Sequence, residues 1–401
     1  MRHLSKENLL QTLSNVYGMP GFQFVLSGDL IEDYGGCFHS YCEHTVALID
    51  LARYEEANRS LEEAEKRCPK EKAHFICHLR GELSKAKGEF REAEKCFRRS
   101  LESRADDADG YLSLGAILAG QGKLEEAKLW HQQAIRCSKG CVDEAYLNLG
   151  YVLRAQEQFE DALECFEKAL EIDPNYEAAK VGSEDMKTLL AYLQSEQSQE
   201  TQVWTAKERL QRSRDAANDS LAAYALILVR ELIQDHDKYG PAYLDYGVAL
   251  VELARYEEAG IALKKSMDLY SEDNRFMPCC HLGHLHELKG EFREAARWYI
   301  RAIKLKPHNA ETHENLGHLL ARQGNLEEAE QCYLTALECP EGRLDEAYTG
   351  LGCVLRSLER FNEALECFQK AFELDPESEE AELGIRDMNL VIDYLKDAAE
   401  R

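Results

Sequence analysis

The clearest structural signal in the sequence is the stretch Phe159-Glu-Asp-Ala162-Leu-Glu-Cys-Phe166-Glu-Lys-Ala169-Leu-Glu-Ile-Asp-Pro174. Its small and aromatic residues recur three and four positions apart, which places them on one face of an α-helix. Acidic residues occupy the first turn, where they favour the positive end of a helix, and Pro174 stops helical propagation. Because one helix cannot bury this face alone, the stretch predicts a helix that packs against a neighbour.

The same stretch returns later in the 401-residue chain, together with several others. Leu51-Ala-Arg-Tyr-Glu-Glu-Ala57 returns 202 positions later as residues 253–259, and residues 87–93 return at the same distance as residues 289–295. Residues 146–174 and 348–376 align without a gap and share 18 identities in 29 positions. The chain is therefore an internal duplication.

A shorter period lies inside each half. It is marked by alanines 36, 34 and 35 residues apart, namely Ala57, Ala93, Ala127 and Ala162, and then Ala259, Ala295, Ala329 and Ala364. Such a period indicates stacked supersecondary units. Each unit is predicted to hold two helices joined at a glycine turn such as Gly122. Small residues such as Gly150 let the two helices approach closely, and aromatic residues such as Phe166 fill the space between units.

The order of residue types within a unit resembles the tetratricopeptide repeat family. The family pattern is a small residue at position 8, Gly at 15, Ala at 20, an aromatic residue at 24, Ala at 27 and Pro at 32. Ala295, Tyr299, Ala302 and Pro307 fit its last four positions, as do the corresponding residues of the stretch quoted above. The early tryptophan of the family is missing, and some units depart further, for example at Thr45. The resemblance implies an all-α fold, an α-solenoid of helix-turn-helix repeats that is internally duplicated.

The repeats divide the chain into six segments. These are an N-terminal helical segment (1–37), a first four-repeat array (38–174), a capping helix (175–196), a linker with one degenerate repeat (197–239), a second four-repeat array (240–376) and a C-terminal capping helix (377–401). We expect the capping helices to cover the otherwise exposed end of each stack.

Charge and composition narrow the classes of partner and compartment. The chain has 48 basic and 74 acidic residues, which gives a net charge of −26. This charge repels a phosphate backbone and an anionic membrane surface, so we expect neither nucleic-acid nor membrane binding. No signal peptide or membrane-spanning run is predicted, and the 14 cysteines are interpreted as reduced thiols of a cytoplasmic protein.

The sequence carries no recognisable catalytic motif. Phosphate-binding loops, nucleophile elbows, dinucleotide-binding glycines and zinc-protease helices are all missing from it. We therefore predict a protein that is not an enzyme and that uses no cofactor. Two clusters of metal-ligand residue types are candidates for zinc or redox sites, the pair Cys280 and His284 and the pair Cys137 and Cys141. Neither cluster recurs in the other half with three or four ligands, so packing is the favoured interpretation.

The family resemblance implies a peptide-binding groove along the first helix of each unit. Carried over position by position, its polar and aromatic candidates are His78, Glu82, Lys85, Asn148, Tyr151, Arg154, His284, Glu287, Asn315, His318, Arg322 and Arg356. An asparagine can hydrogen-bond an extended peptide backbone, and an arginine can pair with a carboxylate. For each residue, a solvated or intramolecularly paired side chain is the alternative. The clamp that some family members form around a C-terminal carboxylate is missing, because Cys42 and Val46 occupy its positions.

The predicted function is a non-enzymatic scaffold that holds a peptide or helix of a partner protein in its concave grooves. One alternative is a metal- or redox-sensing repeat protein that works through the two cysteine clusters. Another alternative is a structural subunit of a larger assembly. The sequence identifies neither the partner, the process, the oligomeric state nor the arrangement of the two arrays.

Overall fold

The computed structural model describes residues 6–13, 16, 18–104, 106–137, 140–195, 205–340 and 342–399. These residues form 22 α-helices and two short 3₁₀ turns, with no strand among them. Consecutive helices pair into antiparallel hairpins, such as α9 (Val142–Ala155) with α10 (Phe159–Ile172). The predicted fold class, an all-α solenoid of helical hairpins, is confirmed.

The first half of the chain contributes eleven helices. They are α1 (Lys6–Leu13), α2 (Pro20–Tyr34), α3 (Phe38–Asp50), α4 (Tyr54–Lys66), α5 (Ala73–Ala86), α6 (Phe90–Ser103), α7 (Ala108–Gly120), α8 (Leu124–Arg136), α9, α10 and α11 (Glu177–Ser195). The second half contributes α12 (Ala206–Asn218), α13 (Ala222–Asp235), α14 (Gly240–Glu252), α15 (Tyr256–Leu269), α16 (Phe276–Leu288), α17 (Phe292–Leu305), α18 (Ala310–Arg322), α19 (Leu326–Leu337), α20 (Leu344–Ser357), α21 (Phe361–Leu374) and α22 (Glu379–Ala399).

The turn inside a hairpin requires one residue in the left-handed conformation. Gly88 and Gly122 supply it with φ values of 73° and 74°, at little cost because glycine has no Cβ. Ala52 and Glu157 adopt the same conformation with φ values of 53° and 59°. A residue with a side chain is strained there by about 1–2 kcal/mol, so these turns depend on the packing around them.

Small residues bring the two helices of a hairpin together, as the repeat pattern predicts. A Cβ atom added to Gly150 of α9 would lie 2.6 Å from Cε1 of Phe166 on α10. Phe166, Ala162 and Ala169 are fully buried. The ring of Phe166 also meets Gly182 of α11, where an added Cβ would lie 2.8 Å away. One aromatic side chain therefore fills the space between three helices.

The described residues belong to two compact units. The central unit is Phe97–Trp298, and the terminal unit combines Met1–Cys96 with Tyr299–Arg401. The main core of the central unit gathers buried leucines and alanines from α9 to α16. One core of the terminal unit joins α1 and α2 to α19–α22, so it contains residues from both ends of the chain. The two predicted arrays are each shared between these units, and the predicted domain boundaries stay a prediction.

The long helix after each array docks on a helix of another hairpin. In the central unit, Asp185 of α11 accepts hydrogen bonds from the backbone N–H groups of Ala223 and Tyr224, both at 3.1 Å, at the start of α13. In the terminal unit, Asp387 of α22 accepts from the N–H groups of Gly21 and Phe22, at 3.1 and 2.8 Å. The duplication therefore extends to α2, which is the structural counterpart of α13.

Candidate functional site

The central unit contains a cavity of about 540 Å³ between the first helices of its repeats and the α14–α15 turn. Three of the predicted groove residues, Asn148, Tyr151 and Arg154, line it from α9. They are three positions apart, so they lie along one side of that helix. The facing wall is formed by Glu252 and Tyr256, at the end of α14 and the start of α15. We call this space the central cavity.

The lining of the central cavity is small and apolar on one side. Ala116, Ala119 and Gly120 contribute from α7, and Val181 contributes from α11. Small side chains on α7 leave room that larger residues would fill. Ala116 is exposed to solvent, which shows that the cavity is open on this side.

Arg154 is held by an internal partner. Only 8% of the residue is exposed, and its Nη1 atom donates to Oδ2 of Asp185 at 3.0 Å. Its guanidinium group also lies 5.0 Å from the centre of the Tyr151 ring, within range of a cation–π interaction. Burial raises the pKa of Asp185, while Arg154 and the two backbone N–H groups oppose that shift. Arg154 therefore forms an intramolecular ion pair with Asp185, which was the alternative to a contact with a bound peptide.

The terminal unit repeats this arrangement. Nη1 of Arg356 lies 3.4 Å from Oδ2 of Asp387, the residue that caps α2. Arg356 is slightly more exposed than Arg154. Both arginines predicted to bind a peptide carboxylate therefore tie a first helix to the long helix that follows the array.

The other predicted groove residues do not lie in the central cavity. His78, Glu82 and Lys85 sit together on α5, where Nζ of Lys85 lies 3.0 Å from Glu82 and Nε2 of His78 lies 4.0 Å from it. Asn315, His318 and Arg322 share α18. His318 is exposed, while Asn315 and Arg322 are half-buried. On α16, His284 is exposed and Glu287 is buried.

Glu252, Tyr256 and His131 are among the residues of the central cavity that sequence reasoning missed. Glu252 and Tyr256 belong to the second half of the chain, so only the fold brings them to α9. His131 of α8 is 1% exposed, and burial lowers its pKa to about 4, so its ring is neutral at pH 7. Glu252 has Asp50 as its counterpart 202 positions earlier. This pair of acids was the signal in the sequence.

A second cavity, of about 600 Å³, lies in the terminal unit. It is lined by charged side chains, including Arg53, Glu56, Lys87 and Glu359. Nη1 of Arg53 donates to Glu359 at 2.5 Å, and Arg53 also pairs with Glu56. Arg53, Glu56 and Glu359 therefore pair with one another, and Lys87 pairs with Glu89, so the second cavity is a less suitable binding site than the central cavity.

In each of the two candidate metal or redox pairs, the two residues differ in burial. Cys280 is buried, whereas His284, one turn later on α16, is exposed. Sγ of Cys137 donates to the Gln133 carbonyl oxygen at 3.5 Å, and Cys141 is exposed. Burial raises the pKa of the Cys137 and Cys141 thiols, which disfavours the reactive thiolate. The described residues include no group of three or more His, Cys, Asp or Glu side chains placed to hold a metal ion.

No helix in the described part of the chain is both long and apolar enough to cross a membrane. The longest described helix, α22, has 21 residues and carries several charges.

Family models match four parts of the chain. Models described as tetratricopeptide repeat match residues 79–140, 143–176 and 308–377, and one described as TPR repeat matches residues 283–324. Tetratricopeptide repeat protein 7A of Homo sapiens is 34% identical over 101 residues, which are 25% of this chain and 12% of that protein. The Protein CTR9 homolog of Arabidopsis thaliana is 22% identical over 344 residues, which are 73% of this chain and 31% of that protein.

The chain spans less than a third of the length of each curated relative, between 11% and 31%. Among solved structures, Cut9 in the APC/C hetero-tetramer Cut9-Hcn1 aligns with a TM-score of 0.42 at 15% identity, covering 96% of this chain and 84% of that one. Yeast Tom70 aligns with a TM-score of 0.32 at 15% identity, covering 82% of this chain and 91% of that one.

Proposed function

The chain belongs to the tetratricopeptide repeat family, and we propose that it is a non-enzymatic scaffold that binds a segment of a partner protein in the central cavity. The observation that carries this proposal is the convergence of Asn148, Tyr151, Glu252 and Tyr256 on one open space. These side chains come from both halves of the duplication.

The chemistry of the walls suits a polypeptide. The Asn148 amide can donate to a peptide carbonyl and accept from a peptide N–H at the same time. Tyr151 and Tyr256 offer apolar ring surface for side chains. Ala116 and Val181 leave the opposite wall smooth, so it can contact a backbone closely. Mixed apolar walls with a few polar groups are typical of binding pockets.

The net charge of the chain sets the kind of partner that approaches. A surface with a net charge of −26 attracts a basic polypeptide and repels an acidic one. We therefore expect association to be faster at low ionic strength, since salt screens this attraction. The location in the cell stays a prediction, namely cytoplasmic.

Site-specific photo-crosslinking tests the proposal, because it captures a partner whose identity is still unknown. A photoreactive phenylalanine analogue placed at Ala116, an exposed residue of the cavity wall, is expected to capture a partner polypeptide in cells. The control carries the same analogue at Leu129 of α8, which is 60% exposed and does not line the cavity. Mass spectrometry then identifies the captured peptide.

The decisive comparison adds Asn148→Ala to each crosslinking variant. Capture at position 116 is expected to fall, while the folded state, checked by circular dichroism, persists. Equal capture at positions 116 and 129, or capture that does not change in Asn148→Ala, would place partner binding outside the central cavity.

The metal content of protein purified without chelator tests the metal-sensing alternative. Stoichiometric zinc that is lost in His284→Ala would favour it.

A further inference from the structure

Glu252 places an unmatched carboxylate in the wall of the central cavity. It is the last residue of α14 and is exposed to solvent, so a ligand can reach it. Within the part of the chain that the structure describes, its side chain forms no hydrogen bond and no ion pair. Among the described residues that line the cavity, Arg154 is the one other charged residue.

Arg154 does not neutralise Glu252, because Asp185 already holds it. The Arg154–Asp185 pair has an N···O distance of 3.0 Å, and both side chains are buried. Two carboxylates therefore share one guanidinium group in this region, which leaves one negative charge without a partner. Partial burial raises the pKa of Glu252; Arg154 lowers it and Asp185 raises it further. The protein environment thus disfavours the lone charge, and a cation placed beside it would relieve that cost.

The neighbours of Glu252 in the cavity suit the alkyl stem and the head of a basic side chain. Leu253 and Tyr256 lie beside it in the lining, and Tyr151 contributes from α9. Tyrosine ring faces attract cations, and apolar surface covers the methylene groups of lysine or arginine. The amide oxygen of Asn148 can accept a hydrogen bond from an ammonium or guanidinium group.

An acid is retained at this position in both halves, while two of its neighbours in the cavity differ. The counterpart of Glu252 in the terminal unit is Asp50, which likewise lies at the end of its helix and forms no ion pair with a described residue. Burial raises the pKa of Asp50, and the charge of Arg356 opposes the shift. By contrast, Asn148 and Tyr151 are replaced by Gly350 and Cys353. An acid therefore occupies this position whether or not Asn148 and Tyr151 are present.

We propose that Glu252 receives a lysine or arginine side chain of the polypeptide bound in the central cavity. This inference rests on the proposed function, since it names the chemistry of the segment that the cavity holds. It makes the central cavity selective for a basic residue, in addition to the general attraction of the acidic surface.

Peptide selection tests the pairing directly. A random 12-residue peptide phage library is panned against the full chain, against Glu252→Gln and against Glu252→Lys. Selections on the unaltered chain are expected to be enriched in lysine or arginine at one fixed position. A synthetic selected peptide is expected to bind Glu252→Gln about tenfold more weakly, as for loss of one partly desolvated ion pair. The charge-reversed variant is expected to select against basic residues.

The control is Glu171→Lys. It makes the same charge change as Glu252→Lys, but at an exposed position of α10 outside the cavity. It should reduce binding only by the small, salt-dependent amount due to net charge. If Glu252→Gln binds the basic peptides as well as the unaltered chain does, the inference is wrong. Peptides that lose binding in Asn148→Ala but show no basic preference would leave the proposed function intact. Peptides that respond to neither cavity variant would contradict both.

Discussion

Glu314 shows how a single half-buried carboxyl group makes stability depend on pH. Burial and the nearby acids Glu346, Glu311 and Asp345 raise its pKa to about 7, and Arg343 lowers it. Its Oε1 atom is buried without a hydrogen-bond partner among the described residues. Since the unfolded chain releases this proton near the ordinary glutamate pKa of about 4.3, the folded state binds more protons between those two values. Stability therefore falls as pH rises through this window.

We predict that Glu314→Gln is more stable than the unaltered chain at pH 8 and loses that advantage at pH 4.5. Glutamine keeps the shape of the side chain but cannot ionise. The check is the thermal midpoint of both proteins across this pH range. Glu327→Gln is the matched control and should barely change the profile, because Glu327 is an exposed acid of α19 and is not among the charges that act on Glu314. Parallel profiles for Glu314→Gln and the unaltered chain would refute the assignment.

Arg154 illustrates what a sequence cannot reveal at the level of one side chain. Its position in the repeat predicts a groove residue, and in the structure it lines the central cavity. Its partner, however, lies 31 positions away on another helix, at Asp185. No local pattern reports that contact, so groove position alone suggests a ligand contact where the structure contains an internal ion pair. Glu252 was missed for the same reason, because the fold alone brings it opposite α9.

Removing Arg154 should therefore affect stability before it affects binding. Arg154→Ala leaves Asp185 buried without its charge partner, and breaking a buried pair costs about 3–5 kcal/mol. Arg356→Ala should cost less, because its pair is longer, at 3.4 Å, and its side chain is more exposed. Chemical denaturation of both variants measures the difference. Equal costs would show that distance and exposure do not set the strength of these pairs.

At the scale of helices, the repeat pattern predicts most of what the structure contains. Spacing of Ala162, Phe166 and Ala169 gives the buried face of α10, and the glycine eight positions into a unit marks the contact with its partner. The hairpin α1–α2 is harder to predict, because its glycines interrupt the helical pattern. Helix α2 shares few identities with α13, among them Leu26 with Leu228 and Leu30 with Leu232. Helices α2 and α13 therefore pack in equivalent ways although most of their side chains differ.

Two glycine substitutions test the close approach of helices. Gly150→Ala would place a Cβ atom 2.6 Å from the Phe166 ring, which α9, α10 and α11 hold on three sides. We expect a loss of about 1–3 kcal/mol, typical of overpacking. Gly120→Ala meets no atom within 4 Å and is the matched control at the end of α7. It should be neutral or stabilising by up to about 1 kcal/mol, because alanine favours the helix.

Urea denaturation of the two glycine variants gives both values. If Gly120→Ala is as destabilising as Gly150→Ala, a backbone effect, and not contact with the Phe166 ring, explains the cost of replacing Gly150.

At the scale of the whole molecule, the duplication produces two equivalent junctions with different chain connections. In the central unit, α11 and α13 lie close together in the sequence, and the Tyr192 hydroxyl donates to Glu231 at 2.9 Å. In the terminal unit, α22 and α2 lie at opposite ends of the sequence, and the Tyr394 hydroxyl donates to Asp29 at 2.5 Å. The same side-chain chemistry therefore joins neighbours in one unit and chain ends in the other. No helical period predicts this second junction, since it links residues more than 360 positions apart.

Hydrogen exchange of paired variants tests whether the chain ends are joined in solution. Asp387→Ala removes the acceptor for the first N–H groups of α2 and the partner of Arg356. Exchange is expected to rise about tenfold or more in both α2 and α22, since each lost hydrogen bond contributes about 1 kcal/mol. Asp185→Ala should have its effect in α11 and α13 instead. Because α2 and α22 are distant in sequence, their joint response in Asp387→Ala requires contact between them. A rise confined to α22, with α2 exchanging as in the unaltered chain, would show that the chain ends are not joined through this aspartate.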